Sequence, residues 1–299
     1  RSGLGRADMA ARLTVVQMLP ALDGGGVEKG TLEAARYLVT QGHRSLVISG
    51  GGRMVAQLQR EGSEHIAWTV GAKRLGTLRY IKRVREILRK ERPDILHLRS
   101  RLPAWIGYWA WRGLNPATRP HLVTTVHGPY TPGWYSSVMV RGERVIAISD
   151  MIRAYILKNY PRVDAAIIRV IPRGVDPREY PHGYRPSPAW LTAWRALYPQ
   201  LEGKYVVTLP ARLTRWKGQE DFIALIAGLK RRGLPVHGLV VGDAHPRKQA
   251  YAAELQRQVA QAGLAADISF TGHRGDLRDI MSVSQVVVSL STEPEAFGR

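Results

Sequence analysis

Short runs of β-branched and other apolar residues recur along this chain, separated by longer stretches whose apolar residues fall at helical spacing. From residue 205 onward the runs are Tyr205–Leu209, Val236–Val241, Ile268–Thr271 and Val286–Leu290, and helices are predicted near 219–232, 247–262 and 276–282. The first of these helices carries its own punctuation. Phe222, Leu225, Ile226 and Leu229 share a face, Glu220 and Asp221 occupy the first turn, Lys230, Arg231 and Arg232 the last, and Gly233 follows as a stop. The first half alternates likewise, with strands predicted near 13–19, 44–49, 94–98, 121–127, 143–148 and 167–171 and helices near 27–41, 76–91, 103–112 and 150–159. This alternation predicts an α/β fold with two doubly wound parallel sheets. Pro172 to Pro199, rich in Pro, Gly and aromatic residues, reads as the connection between them.

A length of 299 residues suits two domains of roughly 100–200 residues each, and 44% hydrophobic with 23% charged residues is ordinary globular composition. No apolar run approaches the ~18 residues needed to cross a bilayer, and Arg1 to Asp8 lack an apolar signal core, so a cytoplasmic protein is expected. Met9 reads as a start, with residues 1–8 as upstream read-through and 1–12 outside either domain. The absence of cysteine excludes disulfides, thiolate zinc sites and a cysteine nucleophile. The net charge of +20 is uneven: residues 1–199 hold 31 Lys and Arg against 14 Asp and Glu, residues 200–299 only 13 against 10. Such a field attracts polyanions, either nucleic acid or an anionic membrane surface. No recognisable nucleic-acid module accompanies it, so a basic nucleic-acid-binding protein is the weaker rival and an anionic membrane surface the expected partner.

Phosphate chemistry separates the enzymes that use such sheets. Gly24-Gly25-Gly26 opens a helix carrying Glu28, yet it makes a poor dinucleotide turn. Pro20 to Asp23 intervene after the first strand, and the second strand ends in Gly50-Gly51-Gly52 without a ribose-binding acid. Neither a Gly-x4-Gly-Lys-Ser/Thr loop nor a Tyr-x3-Lys pair occurs. Other features fit a nucleotide sugar. Arg212 follows a strand and Lys217 just precedes the 219–232 helix, so two cations and a helix N-terminus converge where a diphosphate can lie. There they would stabilise a departing anion without metal; the alternative is a pair of solvated surface cations. Glu295 stands before a Gly-containing turn, suited to accept sugar hydroxyl protons while the Phe297 and Gly298 amides meet phosphate. His127 ends a strand at the sheet's carboxyl edge, where open α/β folds place ligands; the alternative is a hydrogen-bonded structural histidine.

In chain order, Gly25-Gly26-Val27-Glu28, Gly42-His43, Pro93-Asp94-Ile95-Leu96-His97, Thr125-Val126-His127-Gly128, Ile171-Pro172-Arg173-Gly174-Val175-Asp176, Arg212 with Lys217-Gly218, and Glu295-Ala296-Phe297-Gly298 resemble family 4 of the retaining glycosyltransferases. Within that family the chain is most similar to bacterial enzymes of lipopolysaccharide-core or other surface-polysaccharide assembly. The resemblance, from Leu13 to Arg299, implies a GT-B fold: two Rossmann-like domains facing a cleft, 13–176 and 201–299, joined by 177–200. It implies a nucleotide-diphosphate sugar held mainly by the C-terminal domain, no metal, and no other cofactor. It also implies catalytic roles for His127, Arg212, Lys217 and Glu295, and donor contacts by Gly25, Gly26, Gly242, Phe297 and Gly298. Retention would proceed by front-face substitution, in which the departing phosphate itself takes the acceptor proton. The family's Glu-x7-Glu spacing aligns Glu295 as the first acid and leaves Glu293 a solvated loop charge. Arg173 stands where many relatives have Asn and receives no role, while His97 and Asp94 are expected to shape the sheet edge.

On the acceptor side, Leu78, Ile81, Val84 and Leu88 form a stripe within the basic stretch Lys73 to Arg92. Such a helix either lies on anionic lipid or covers a sheet with its outer face solvated. The aromatic segment Trp105 to Trp111 is expected to pack in the core, whereas Tyr130, Trp134 and Tyr135, in the loop after His127, are the acceptor candidates. The second acid of the motif would fall eight positions beyond Glu295, so the chain as given is expected to be weakly active or inactive, or a non-catalytic homologue. A turnover assay against a chain extended through that segment tests this expectation, and equal turnover overturns it.

Overall fold

The structure, a computed structural model, describes residues 12–244 and 249–298. The chain divides into two compact units, one reaching to Arg173 and taking in Ala296 onward, the other Gly174–Glu295.

The first unit contains strands β1 (Thr14–Met18), β2 (Arg44–Ser49), β3 (Glu64–Ala67), β4 (Ile95–Leu98), β5 (His121–Val126), β6 (Arg144–Ala147) and β7 (Ile168–Val170). They form one parallel sheet in the order β3-β2-β1-β4-β5-β6-β7. The chain builds outward from β1 to β3, then returns to the other side of β1 with β4. Its helices are α1 (Gly26–Thr40), α2 (Val55–Arg60), α3 (Arg79–Glu91), α4 (Arg101–Arg112), α5 (Trp134–Ser137) and α6 (Asp150–Asn159). Val15, Val16 and Met18 of β1 and Leu46, Val47 and Ile48 of β2 are buried on consecutive positions, as strands covered on both faces must be. Burying each such side chain contributes about 1.5–3 kcal/mol. In α4, Gly107 lets the helix approach the sheet, since a Cβ there would stand 2.5 Å from Leu98 Cδ2 and 3.0 Å from Met18 Sδ. Trp105 and Trp111 of that helix are buried as expected, and Trp109 remains 41% exposed.

The basic stripe resolves toward the sheet. Tyr80, Val84 and Leu88 of α3 are buried in the core while the arginines and lysines around them face outward, so the helix covers the sheet. Leu78, just before it, is left exposed.

The second unit contains α7 (Pro188–Leu197), β8 (Tyr205–Pro210), α8 (Gln219–Arg231), β9 (Val236–Val241), α9 (Gln249–Gln261), β10 (Ile268–Gly272), α10 (Leu277–Ser282) and β11 (Val286–Val287). Its four strands are parallel in the order β10-β9-β8-β11. The stretch 177–200, read from sequence as a connection, holds α7 and belongs to this unit. Ser187 caps that helix through the Trp190 amide, Pro188 opens it, and Trp194 packs with Val206, Leu239, Val241 and Ile280. The boundary between the units accordingly falls at Arg173, before the sequence-based limit of 176. Strand β11 is shorter than the predicted Val286–Leu290, because after Val288 donates to Thr208 O the chain leaves the sheet.

Three histidines bridge neighbouring strands in one recurring geometry. His65 of β3 bonds Ser49 of β2 (2.8 Å), His97 of β4 bonds Thr125 of β5 (2.7 Å), and His237 of β9 bonds Ser269 of β10 (2.9 Å). For His65 and His97 the hydroxyl lies two residues beyond the register partner, Val47 or Val123. Burial lowers the pKa of all three, and the charge of Arg99 adds to the effect on His97. A base with a depressed native pKa leaves the unfolded chain to bind the proton first. These groups therefore leave stability intact above their ordinary pKa of 6.5 and erode it as pH falls below that value. Each histidine contributes a slope of up to about 1.4 kcal/mol per pH unit. The urea midpoint is expected to hold steady from pH 8 to 7 and drop between pH 6.5 and 5.5, less steeply in His97→Gln; a midpoint unchanged across that acid range contradicts the assignment.

Candidate functional site

Open parallel sheets bind ligands outside the strand carboxyl ends, where the strand order reverses. In the second unit that point lies between β8 and β11. The loop leaving β8 runs through Arg212 to Lys217 and enters α8, while the loop leaving β11 runs through Ser291 to Glu295. Lys217 Nζ stands 2.5 Å from Glu295 Oε1, and Ser291 Oγ donates to the same carboxylate oxygen. Both side chains of the pair are about four-fifths shielded, at 19% and 18% exposure. Burial acts to raise the Glu295 carboxyl, but the hydrogen bonds from Lys217 and Ser291 and the lysine's charge outweigh it and hold the group below its usual range. The ammonium also sits 4.3 Å from the Trp216 ring centroid.

Backbone geometry brings the two loops together. Gly218, the N-cap of α8, adopts φ +72°, and a Cβ on it would lie 2.0 Å from Leu290 O. Trp216 O accepts from the Thr292 amide at 2.9 Å, tying the loops a second time. Gly242, at the end of β9, has φ +150°, and a Cβ there would meet Ala211 O at 2.1 Å. Its amide already donates to Gly272 O, so this glycine acts through close approach to the Ala211–Arg212 backbone rather than as a free donor.

Arg212 is held differently from Lys217. Its carbonyl accepts from Gln219 Nε2 at 2.9 Å, while its exposed guanidinium has no ion pair among the described residues. Phe297 and Gly298 are exposed, and Gly298 takes φ +73°. Glu293 is exposed, as its reading as a solvated charge requires.

In the first unit the order reverses between β1 and β4, and Arg99, after β4, and Arg173, after β7, meet the start of α1. The N-cap of α1 is Gly25, which supplies no side-chain cap, and Gly26 is the first helical residue. His127 follows β5, with its amide donating to the Tyr130 hydroxyl at 3.2 Å. Arg173 donates to His127 Nδ1 with one terminal nitrogen and to Gly26 O with the other. A guanidinium only donates, so Nδ1 is the acceptor and the neutral ring carries its proton on Nε2. Burial, then the charges of Arg99, Arg173 and His97, keep the imidazole pKa well below its ordinary value. Nε2 is buried with no hydrogen-bond partner among the described residues.

Sequence reasoning assigned no role to Arg173 and passed over Arg99. Arg99 follows β4, is 6% exposed, and donates to Gln17 Oε1 at 3.1 Å. The available signal was its place: a charged residue one position beyond an apolar strand at the carboxyl edge of a sheet. Asp94 shapes the opposite edge as expected, accepting from the Thr14 amide at 2.7 Å.

The acceptor candidates separate. Tyr130 is structural, with its hydroxyl on the His127 amide and its carbonyl accepting from the Tyr155 hydroxyl. Trp134 is 67% exposed and stacks on Trp105 at 4.3 Å, and Tyr135 is 38% exposed under the Arg101 guanidinium, whose carbon lies 5.2 Å from the ring centroid. Of the three candidates, Trp134 and Tyr135 are the exposed ones.

Residues 24–179 match the family described as Glycosyltransferase Family 4, and residues 192–299 match Glycosyl transferases group 1. No curated protein matches. Among solved structures, a glycosyltransferase from Rickettsia africae ESF-5 is 32% identical with a TM-score of 0.83, over 97% of this chain and 76% of that one. Anabaena Alr3699/HepE is 23% identical with a TM-score of 0.75, over 96% of this chain and 77% of that one. WaaG, a glycosyltransferase involved in lipopolysaccharide biosynthesis, is 17% identical with a TM-score of 0.62, over 93% of this chain and 75% of that one. The two Rossmann-like sheets are those of GT-B glycosyltransferases, and a chain assembled from these two domains is a glycosyl-transferring enzyme. The sequence match over more than half its length, with the fold and the paired Lys217 and Glu295, means that this chain belongs to Glycosyltransferase Family 4.

Proposed function

We propose that this enzyme moves a sugar from a nucleotide-diphosphate sugar to a glycan or glycolipid of a bacterial cell surface, with retention of anomeric configuration and with protein cations in place of a metal. The observation that carries this reading is the shielded Lys217–Glu295 pair at the mouth of the second sheet, beside the start of α8. A diphosphate at that helix start meets backbone amides, the Lys217 ammonium and, from the adjoining loop, the Arg212 guanidinium. Lys217 can turn from carboxylate to phosphate in place, and Glu295 then accepts hydrogen bonds from hydroxyls of the transferred sugar. As the bond to the sugar breaks, charge builds on the departing diphosphate, and fixed cations stabilise that charge more than they stabilise the bound donor.

His127 enters as a hydrogen-bond donor through Nε2, facing the sugar or the acceptor hydroxyl. The departing phosphate takes the acceptor proton. Support for the donor comes from structures of Anabaena Alr3699/HepE with UDP and with UDP-glucose, and for the acceptor class from WaaG and from WaaB, a lipopolysaccharide outer core galactosyltransferase. Calorimetry with UDP, GDP and ADP sugars tests the cradle. Lys217→Ala and Arg212→Ala are each expected to weaken the preferred nucleotide by about 1.5–3 kcal/mol, one charge-assisted phosphate contact apiece. Unchanged affinity in both removes the diphosphate from this site.

The same reading places the enzyme peripherally on the cytoplasmic face of the membrane. Leu75 is 88% and Leu78 is 55% exposed, with exposed Lys73, Arg74 and Arg79 around them. Apolar side chains ringed by cations match an anionic lipid surface. In addition, no helix among the described residues is long and apolar enough to cross a membrane. Co-sedimentation with anionic vesicles at low salt is expected, reduced in Leu75→Asp and absent with neutral vesicles; failure to pellet with anionic vesicles overturns the membrane assignment.

A further inference from the structure

The loop that carries Arg212 and Lys217 is braced from inside by an uncharged amide. Gln219, the first residue of α8, is 1% exposed. Its Nε2 donates to the Arg212 carbonyl, seven residues back, so one side chain ties the end of the loop to its beginning. Other contacts hold the same backbone from the sheet side. The Ala211 amide donates to Val241 O at 2.9 Å, the Leu213 amide donates to Asp243 O at 3.2 Å, and the Leu213 side chain is buried. Within the loop, the Lys217 amide donates to Thr214 O at 2.9 Å.

Neither packing nor helix stability accounts for an amide at this position. Gln219 Oε1 is buried with no hydrogen-bond partner among the described residues, and an unsatisfied buried acceptor is a cost that an apolar side chain of the same length avoids. Nor does the side chain cap α8: it donates to a carbonyl, whereas the open groups at a helix N-terminus are themselves donors. Arg212 is exposed, so water can replace the amide on its carbonyl, and little stability depends on the bond. What the bond fixes is direction. Arg215, in the same loop, is committed to Glu254 at 2.6 Å and lies over the Tyr251 ring, 4.9 Å from its centroid. The Arg212 guanidinium has no ion pair of this kind among the described residues, so its backbone sets where it can reach. A charged side chain on a fixed backbone loses less freedom on engaging an anion than one on a mobile loop.

We propose that Gln219 is a positioning residue for donor binding: its amide holds the Arg212 backbone so that the guanidinium meets a diphosphate at the start of α8. Gln219 touches no part of the donor and acts through Arg212. The inference lies wholly within the second unit; it rests on the reading of Arg212 as a diphosphate contact and deepens that reading.

A double-mutant cycle tests it, read by calorimetry with whichever of UDP, GDP and ADP the native chain binds most tightly. Gln219→Met keeps the length of the buried side chain while removing its donor and its unpaired acceptor. In the native background it should weaken the nucleotide about fivefold, the scale of one ordinary hydrogen bond, with the unfolding midpoint held. In Arg212→Ala, where no guanidinium is left to direct, the same change should cost less than about twofold. Amide exchange across residues 212–218 should quicken in Gln219→Met, with the rest of α8 unchanged. Equal losses in the native and Arg212→Ala backgrounds, a Gln219→Met affinity equal to the native one, or unchanged exchange across the loop each overturn the proposal and leave the donor cradle standing. Arg212→Ala binding as tightly as the native chain, or no nucleotide binding by the native chain, overturns the reading of Arg212 and the proposal with it.

Discussion

Lys217 reaches Glu295 only because the backbone of Gly218 lies against the carbonyl of Leu290. With φ at +72° and a would-be Cβ 2.0 Å from that oxygen, no other residue fits without moving the loop. This one contact couples the turn from β8 into α8 to the segment leaving β11, elements separated by about seventy residues in sequence. The position of Glu295, the tether from Thr292 to Trp216 and the short length of β11 all follow from it. The salt bridge reports this geometry more than it creates it. A lysine–carboxylate pair at the surface contributes little to stability, while the same pair four-fifths shielded and fixed by Ser291 is preorganised for charge to be exchanged rather than assembled.

The first unit uses glycine for a related purpose at its own helix start. There the missing side chains of Gly26 and Gly30 admit arginines instead of a carbonyl, and a buried cation stands beside the positive end of a helix. The same physical rule governs both places. A helix N-terminus becomes a useful anion receptor when the residues around it have no bulk of their own and the neighbouring loops deliver charge. In the second unit the delivered charges are a lysine and an acid in direct contact, whereas in the first two guanidinium groups approach the helix, with Glu33 of α1 acting on Arg99 in the opposite sense.

The strands most plainly legible were those with two-sided burial, although the edge strands β7, β10 and β11 were also predicted. β1, β2, β5, β8 and β9 are central or near-central strands, and their consecutive apolar residues mark them without help from neighbours. β3 was not visible, because Glu64-His65-Ile66-Ala67 is an edge strand with exposed ends and one strongly apolar residue. α2 spans six residues and offers too short a period to detect. α7 was hidden by its company: Pro and aromatic residues read as a linker, though Pro188 is a helix opener and Trp194 a core residue whose partners lie on β8, β9 and α10. The site divides in the same way. Lys217 and Glu295 belong to local motifs, so their chemistry could be read in place. Arg99 and Arg173 acquire meaning only from long-range neighbours, Gln17 being 82 residues from Arg99 and Gly26 147 residues from Arg173.

The tautomer of His127 bears on the retaining reaction proposed above. A general base at this position needs a free ring nitrogen lone pair of sufficient basicity, and the neutral imidazole has one such pair. Arg173 occupies it, and the surrounding burial and positive charge depress the affinity of the ring for a second proton. What remains on the unpartnered side is an N–H group. A donor there stabilises developing negative charge on oxygen and holds a hydroxyl by its lone pairs, but it removes no proton. In the proposed reaction, deprotonation of the acceptor would then fall to an oxygen of the departing diphosphate, which gains basicity as the bond to the sugar breaks. Substitution on the front face, where acceptor and leaving group share one side of the sugar, keeps those two atoms close enough for that transfer. By occupying Nδ1, Arg173 fixes His127 in its donor form, and in the proposed reaction that leaves the diphosphate route as the one its chemistry favours.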